Sequence, residues 1–147
     1  MTSVPIRWML VFVLSLLMTL GIYYTMNFSY LDYSVTDKDQ LVIHEGWKEP
    51  GPIMNSNVSG EEDGLSKLGT HMEAFNQWVL AAAVLLPVFI STYAVLTSRK
   101  ALGRHPRKKG LLWVTIVVHT AACVFFLIQW IRYADLINRT VHNVMFG

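Results

Sequence analysis

Residues 99–109, Arg-Lys-Ala-Leu-Gly-Arg-His-Pro-Arg-Lys-Lys, decide how the rest of this chain is read. Six of the eleven are Lys or Arg, none is Asp or Glu, and a long apolar run lies on each side. Lys and Arg in a short loop between two membrane spans resist translocation, so such a loop stays on the cytoplasmic side. With this loop inside, the side of every other segment follows. Gly103 suits the end of one helix and Pro106 the first turn of the next, which makes the stretch the turn of a helical hairpin.

Composition agrees with a membrane setting. Of 147 residues, 53% are hydrophobic and 15% charged, where a soluble domain carries about 25% charged residues. Mean hydropathy is +0.39. The small net charge of +2 conceals a separation of charge. Residues 28–75 hold three lysines against nine carboxylates, a net −6, whereas residues 98–110 hold +6. Arg99, Lys100, Arg104, Arg107, Lys108 and Lys109 are therefore read as topology anchors facing lipid headgroups, each worth about 1 kcal/mol near an anionic surface. They are not read as a nucleic-acid site. The single cysteine, Cys123, lies in an apolar run and excludes a disulfide within the chain.

Three spans follow. Trp8 to Tyr24 is uncharged after Arg7, and residues 7–26 reach about 30 Å as a helix, enough to cross a bilayer core. No Ala-x-Ala-like site follows it, so an uncleaved anchor is expected rather than a signal peptide. The second span is Trp78 to Leu96, within residues 76–98. Thr70-His71-Met72-Glu73 resembles a capping box and places the helix start near His71. Pro87 interrupts this span and is expected to kink it, with Ser91 and Thr92 one turn on to satisfy freed carbonyls. The third span is residues 111–131. Trp8, Trp78, Trp113 and Trp130 fall near the proposed interfaces, as membrane tryptophans tend to do, and Tyr23 and Tyr24 mark the exit of the first span.

The resulting expectation is an all-α membrane protein with three transmembrane helices, N-terminus inside and C-terminus outside. A 48-residue acidic loop, residues 28–75, joins the first two. Within it Leu41-Val42-Ile43 reads as a short strand and residues 55–64 as a solvated loop. The loop is too polar to hold a core by itself and must lean on the helices or on a partner. Residues 132–147 are amphipathic: Tyr133, Leu136, Ile137, Thr140, Val141 and Val144 share helical spacing, and Asp135 is placed to pair with Arg132 and Arg139. This tail reads as an extension of the third helix or as a separate interfacial one.

His119 is the most pointed polar residue. It lies eight residues into the third span, about 12 Å from the inner end, where ionisable side chains face protein, a cavity or a partner. Thr115, His119 and Cys123 share one helix face. The ordinary reading is a neutral ring hydrogen-bonded to a carbonyl or to Ser15, Thr19 or Ser91. The functional readings are a haem or metal ligand or a proton relay. Outside, His71 with Met72 or His44 with Glu45 offers a transient copper site, although no metal-binding spacing accompanies them. Asn27, Asn57 and Asn138 begin glycosylation tripeptides, of which Asn57 stands farthest from the bilayer. Glu61-Glu62-Asp63 lacks the ligand pattern of a calcium loop. There is no phosphate-binding glycine loop, no Ser/His/Asp arrangement and no His-Glu-x-x-His.

The function expected from these residues is therefore non-catalytic. A small cell-membrane protein acting as an accessory or structural subunit, or an assembly factor, of a larger membrane complex fits best, with a membrane-protein partner or a homo-oligomer. The alternatives are a redox or metal-handling protein using haem or copper at His119 or the outer histidines, and an oligomeric channel lined by Thr115, His119 and Cys123.

Overall fold

A computed structural model describes residues 4–48, 51–54, 57–98 and 107–146, of which 73% are helical. Three helices dominate: α1 (Val4–Tyr24), α2 (Glu62–Thr97) and α3 (Lys108–Phe146). Each is long and apolar enough to cross a membrane. At 1.5 Å per residue, α1 is about 31 Å long, whereas α2 and α3 reach about 54 and 58 Å. A hydrocarbon core is about 30 Å thick, so α1 is only as long as a span and the other two each have some 25 Å to spare. Arg99, Lys100, Arg104 and the expected turn at Gly103 and Pro106 lie outside the described residues.

Two expectations about helix ends need correction. The second helix starts at Glu62, not near His71. Thr70 lies inside it and donates its hydroxyl to the Ser66 carbonyl at 3.0 Å, as a mid-helix threonine does, so the capping-box reading fails. Glu62 and Asp63 occupy the first turn instead, where their charges favour the positive end of the helix dipole. At the other end of the chain, α3 continues unbroken through residues 132–146, so the amphipathic tail is an extension of the third helix. Asp135 pairs with Arg139 at 2.9 Å, and Arg132 lies by the Tyr133 ring.

The chain forms two compact units. One comprises Met1–Ile22 and Ala81–Leu127, the other Tyr23–Leu80 and Ile128–Gly147. The divisions fall beside Tyr23, Trp78 and Trp130, three of the aromatics assigned to the interface from sequence.

In the first unit most large apolar side chains point outward. Leu14, Met18, Trp113, Val117 and Phe125 are all exposed, an arrangement stable only against lipid or another apolar surface. Polar groups are satisfied locally: Ser15 bonds the Val11 and Phe12 carbonyls, and Thr19 bonds that of Leu16. Between helices, the Trp8 indole donates to the Thr92 hydroxyl at 3.2 Å. Pro87 is fully buried and α2 runs through it. Ser91 donates to the Pro87 carbonyl and Thr92 to that of Val88, both at 2.7 Å. These are carbonyls on the C-terminal side of the proline, not the Ala83 carbonyl that its missing N–H would have met.

The second unit has a conventional core. Leu68, Met72 and Phe75 on α2 meet Ile137, Val141 and Val144 on α3, joined by Leu41 and Val58. Both helical sets follow i, i+4, i+7 spacing, which places each on one stripe. At Gly64 the helices approach so closely that an added Cβ would meet Val144 Cγ2 at 2.7 Å. Against this pair lies a two-stranded antiparallel hairpin, β1 (Leu31–Val35) and β2 (Leu41–Glu45). The strand expected at Leu41–Ile43 thus exists and has Tyr33–Val35 as partner, so the acidic loop is not purely helical or irregular. The hairpin turn is a three-residue one: Thr36 N–H donates to the Gln40 carbonyl, Asp39 N–H to the Thr36 carbonyl, and Asp39 takes the left-handed conformation such turns require.

Candidate functional site

His119 sits where an i, i+4 pair of aromatics on α2 receives it. Its ring stacks on Phe89, centroids 3.8 Å apart and 11° from parallel, and Tyr93 meets it edge-on at 5.1 Å. Its Nδ1 is buried and has no hydrogen-bond partner among the described residues. At Nδ1 the expected hydrogen bond is not made and the ring packs on two aromatics instead, while Ser15, Thr19 and Ser91 direct their hydroxyls to helix carbonyls. Ligation through a ring nitrogen lies in the ring plane and stacking covers only a face, but Nδ1 is itself buried, so a ligand at that atom requires its neighbours to move. Thr115 is half-buried and Cys123 is exposed. Cys123 thus faces outward from the chain, and a channel lined by these residues would need several copies.

The histidines outside the long apolar runs, His44, His71 and His142, are dispersed. His71 Nδ1 lies 3.1 Å from the Thr140 hydroxyl, tying α2 to α3, while the adjacent Met72 points into the core. His44 Nε2 lies 2.8 Å from Ser34 Oγ across the hairpin, while Glu45 bonds Lys48 and the Tyr30 hydroxyl. His142 packs on Phe146. Neither proposed copper pair points its two side chains at a common position. No group of three or more His, Cys, Asp or Glu side chains able to share a metal ion occurs among the described residues.

The residue that organises the second unit was not singled out by the sequence. Asn76, on α2, holds the start of β1 through its side-chain amide. Its Oδ1 accepts from Tyr30 N–H at 3.0 Å and Leu31 N–H at 2.9 Å, while its Nδ2 donates to the Leu31 carbonyl at 2.8 Å and Ser29 Oγ at 3.1 Å. The Tyr23 hydroxyl donates to the Asn76 backbone carbonyl. An asparagine offers two donors and an acceptor with two lone pairs, and here all are used. Around this clamp Tyr30, Phe75 and Trp130 pack mutually, Phe75 and Trp130 edge-to-face at 4.6 Å. Burial raises the Tyr30 phenol above its ordinary pKa, and the Glu45 carboxylate beside it adds to the effect.

The chain enters this unit through a tight turn. Phe28 N–H donates to the Tyr23 carbonyl and Asn27 N–H to that of Tyr24, the paired bonds of a Schellman helix end, with Asn27 left-handed as the motif demands. Phe28 is left-handed too, an unusual conformation for a bulky residue, and its ring is held edge-on by Tyr23 and Tyr24.

Two clefts flank β1 and share Asp32. One, of about 340 Å³, is bordered by Gly69, Glu73, Asn76 and Gln77. The other, of about 410 Å³, is bordered by Thr25, Asn27, Ser34, His44 and Trp47. Of the glycosylation tripeptides, Asn57 is exposed, and its Oδ1 accepts from both the backbone N–H and the hydroxyl of Ser59. No protein-family model, curated protein or solved structure matches the chain.

Proposed function

We propose that this chain is a multi-pass protein of the cell membrane, N-terminus inside and C-terminus outside, serving as a non-catalytic accessory subunit or assembly factor of a larger membrane complex. The observation that carries this reading is the Asn76 clamp. It fixes the acidic segment to α2 with four side-chain hydrogen bonds, so the acidic surface is held in one shape rather than carried on a free loop. Asp32, Asp37, Asp39, Glu45, Glu62, Asp63 and Glu73 are all exposed on that unit. Lys38, Lys48, Lys67, Arg132 and Arg139 are exposed there too, but carboxylates outnumber them. A pre-organised, net-acidic surface loses little entropy on docking and favours a partner of opposite charge. The exposed apolar faces of α1 and α3 give a second surface on which a membrane partner or further copies of the chain can pack.

The test is purification in mild detergent with quantification of what accompanies the chain. A partner present in constant ratio, and lost when Glu61, Glu62 and Asp63 are changed to Lys, supports the proposal. A lone monomer whose deletion alters no membrane complex ends it. The unpartnered Nδ1 of His119 favours a second reading, a haem or copper protein. That reading requires a Soret band or bound copper that disappears in His119→Ala, and a featureless, metal-free preparation removes it.

A further inference from the structure

Within the first unit, Arg7, Leu10 and Val11 of α1 and Ala94, Val95 and Ser98 around the end of α2 border a cleft of about 270 Å³. Its wall is almost wholly apolar, and its one charged residue, Arg7, lies in the first two turns of α1. We infer that this cleft is a binding site for an anionic phospholipid, the Arg7 guanidinium meeting the phosphate and the aliphatic wall taking the upper part of an acyl chain.

Three features select that occupant. The cleft lies between helices that are apolar enough to span a membrane, where water is a poor filler and hydrocarbon the ready one. Its length from Arg7 to Val11 is about 6 Å along the helix, roughly one turn. A packed transmembrane helix is about 10–12 Å across with its side chains and ordinarily approaches along a seam of small residues. Here Ala94 and Ser98 are small but Leu10, Val11 and Val95 supply bulk beside them, which leaves a narrow space that suits a thin chain. Finally, Arg7 gives the cleft a polar end of fixed sign, and guanidinium groups match phosphate oxygens in a two-point geometry. Ser98, just past the end of α2, also borders the cleft, and Arg7, the one charge in its lining, favours an anionic over a zwitterionic headgroup.

The full-length protein, stripped of lipid in mild detergent, is to be titrated with phosphatidylglycerol and with phosphatidylcholine of the same chain length, bound lipid being counted by native mass spectrometry. The wild type should prefer phosphatidylglycerol about fivefold, the equivalent of about 1 kcal/mol for one cation near a headgroup. Arg7→Gln should abolish the preference while weak binding of both lipids persists. Ala94→Phe, which fills the cleft, should lower binding of both, with helical circular dichroism unchanged in each variant. Equal binding of the two lipids by the wild type overturns the proposal. So does a preference that survives Arg7→Gln, which would assign it to the basic loop. Lipid binding untouched by Ala94→Phe, with loss of a co-purifying protein instead, would assign the cleft to a partner helix and overturn it as well.

Discussion

The two units of this chain obey opposite packing rules although the same helices, α2 and α3, contribute to both. In Tyr23–Leu80 with Ile128–Gly147, Leu41, Leu68, Met72, Phe75 and Ile137 turn inward into one core and a side-chain amide stitches strand to helix. In Met1–Ile22 with Ala81–Leu127, large side chains turn outward and hydroxyls bond carbonyls of their own helix. The change of rule occurs beside Tyr23, Trp78 and Trp130. It follows from the solvent each unit is built for. Water drives apolar groups together, whereas lipid tails are as apolar as leucine and leave helix contacts to packing and hydrogen bonds.

The largest expected effect tests that contrast directly. Leu68 is fully buried, and Leu68→Ala should destabilise the second unit by about 2–5 kcal/mol, the range for a buried leucine truncated to alanine. The same truncation at Leu14, which is 72% exposed on α1, should change stability by about 0.5 kcal/mol or less, as surface substitutions do. Unfolding in detergent micelles, followed by hydrogen exchange in each unit, measures both. A comparable cost at the two positions would mean that Leu14 is covered by another copy or by a partner in the preparation.

Next in size is Asn76→Ala. It removes the partners of the Tyr30 and Leu31 N–H groups and of the Leu31 carbonyl in a half-buried setting, so a loss of about 2–3 kcal/mol is expected. Exchange of the Tyr30 and Leu31 amides should speed up before that of the α2 core. Asn76→Asp, which keeps the acceptor and loses the donors, should leave these two amides protected and free only the Leu31 carbonyl and Ser29 hydroxyl. If both variants exchange like the wild type, the clamp is not what holds the hairpin.

The same contrast explains what could be read from the sequence. The three long apolar helices were legible because an uncharged run of sufficient length with aromatics at its ends is a one-dimensional pattern. The tail stripe of Ile137, Val141 and Val144 was legible because periodicity alone marks it. The start of α2 was not. Gly64, Gly69 and the polar residues between them look like loop, and Thr70 with Glu73 imitates a helix start. Helix over 62–70 is favoured by burial of Leu68 and by the close approach of Gly64 to Val144, contacts with residues far along the chain. Asn76 was hidden for a related reason, since its partners lie 45 to 47 residues earlier. His119 stands out in the sequence by its place within an apolar run, but its aromatic neighbours depend on the rotation of two helices about their axes, which no local pattern records.

A smaller effect concerns Tyr30. Its phenol is raised above the usual value of 10.0, first by burial and then by Glu45. The folded state therefore holds this proton more tightly than the unfolded chain does. The associated stability is fully present below pH 10 and is lost as pH rises through the folded pKa. Alkaline absorbance titration, compared with that of Tyr30→Phe, should show Tyr30 titrating late. Glu45→Gln should bring its midpoint down only part of the way, because burial, the larger cause, remains. Complete normalisation in Glu45→Gln would show that the carboxylate is the main cause and that Tyr30 is more solvated than its packing on Phe75 and Trp130 implies.

The smallest effect is expected at Asp135 and Arg139, and it sharpens the comparison because it belongs to neither packing rule. The pair lies on α3 at i, i+4 with an N–O distance of 2.9 Å, but its side chains are 55% and 75% exposed. Exposed helical pairs of this spacing contribute about 0.3–0.5 kcal/mol, reduced further by salt. Asp135→Asn should thus shift unfolding by no more than that at low ionic strength and by nothing resolvable at high salt, where Debye screening is short. A cost several times larger, persisting in salt, would require Asp135 to be buried against something outside the chain. That result would place the docking surface of the proposed complex on this face of α3 rather than on the acidic hairpin.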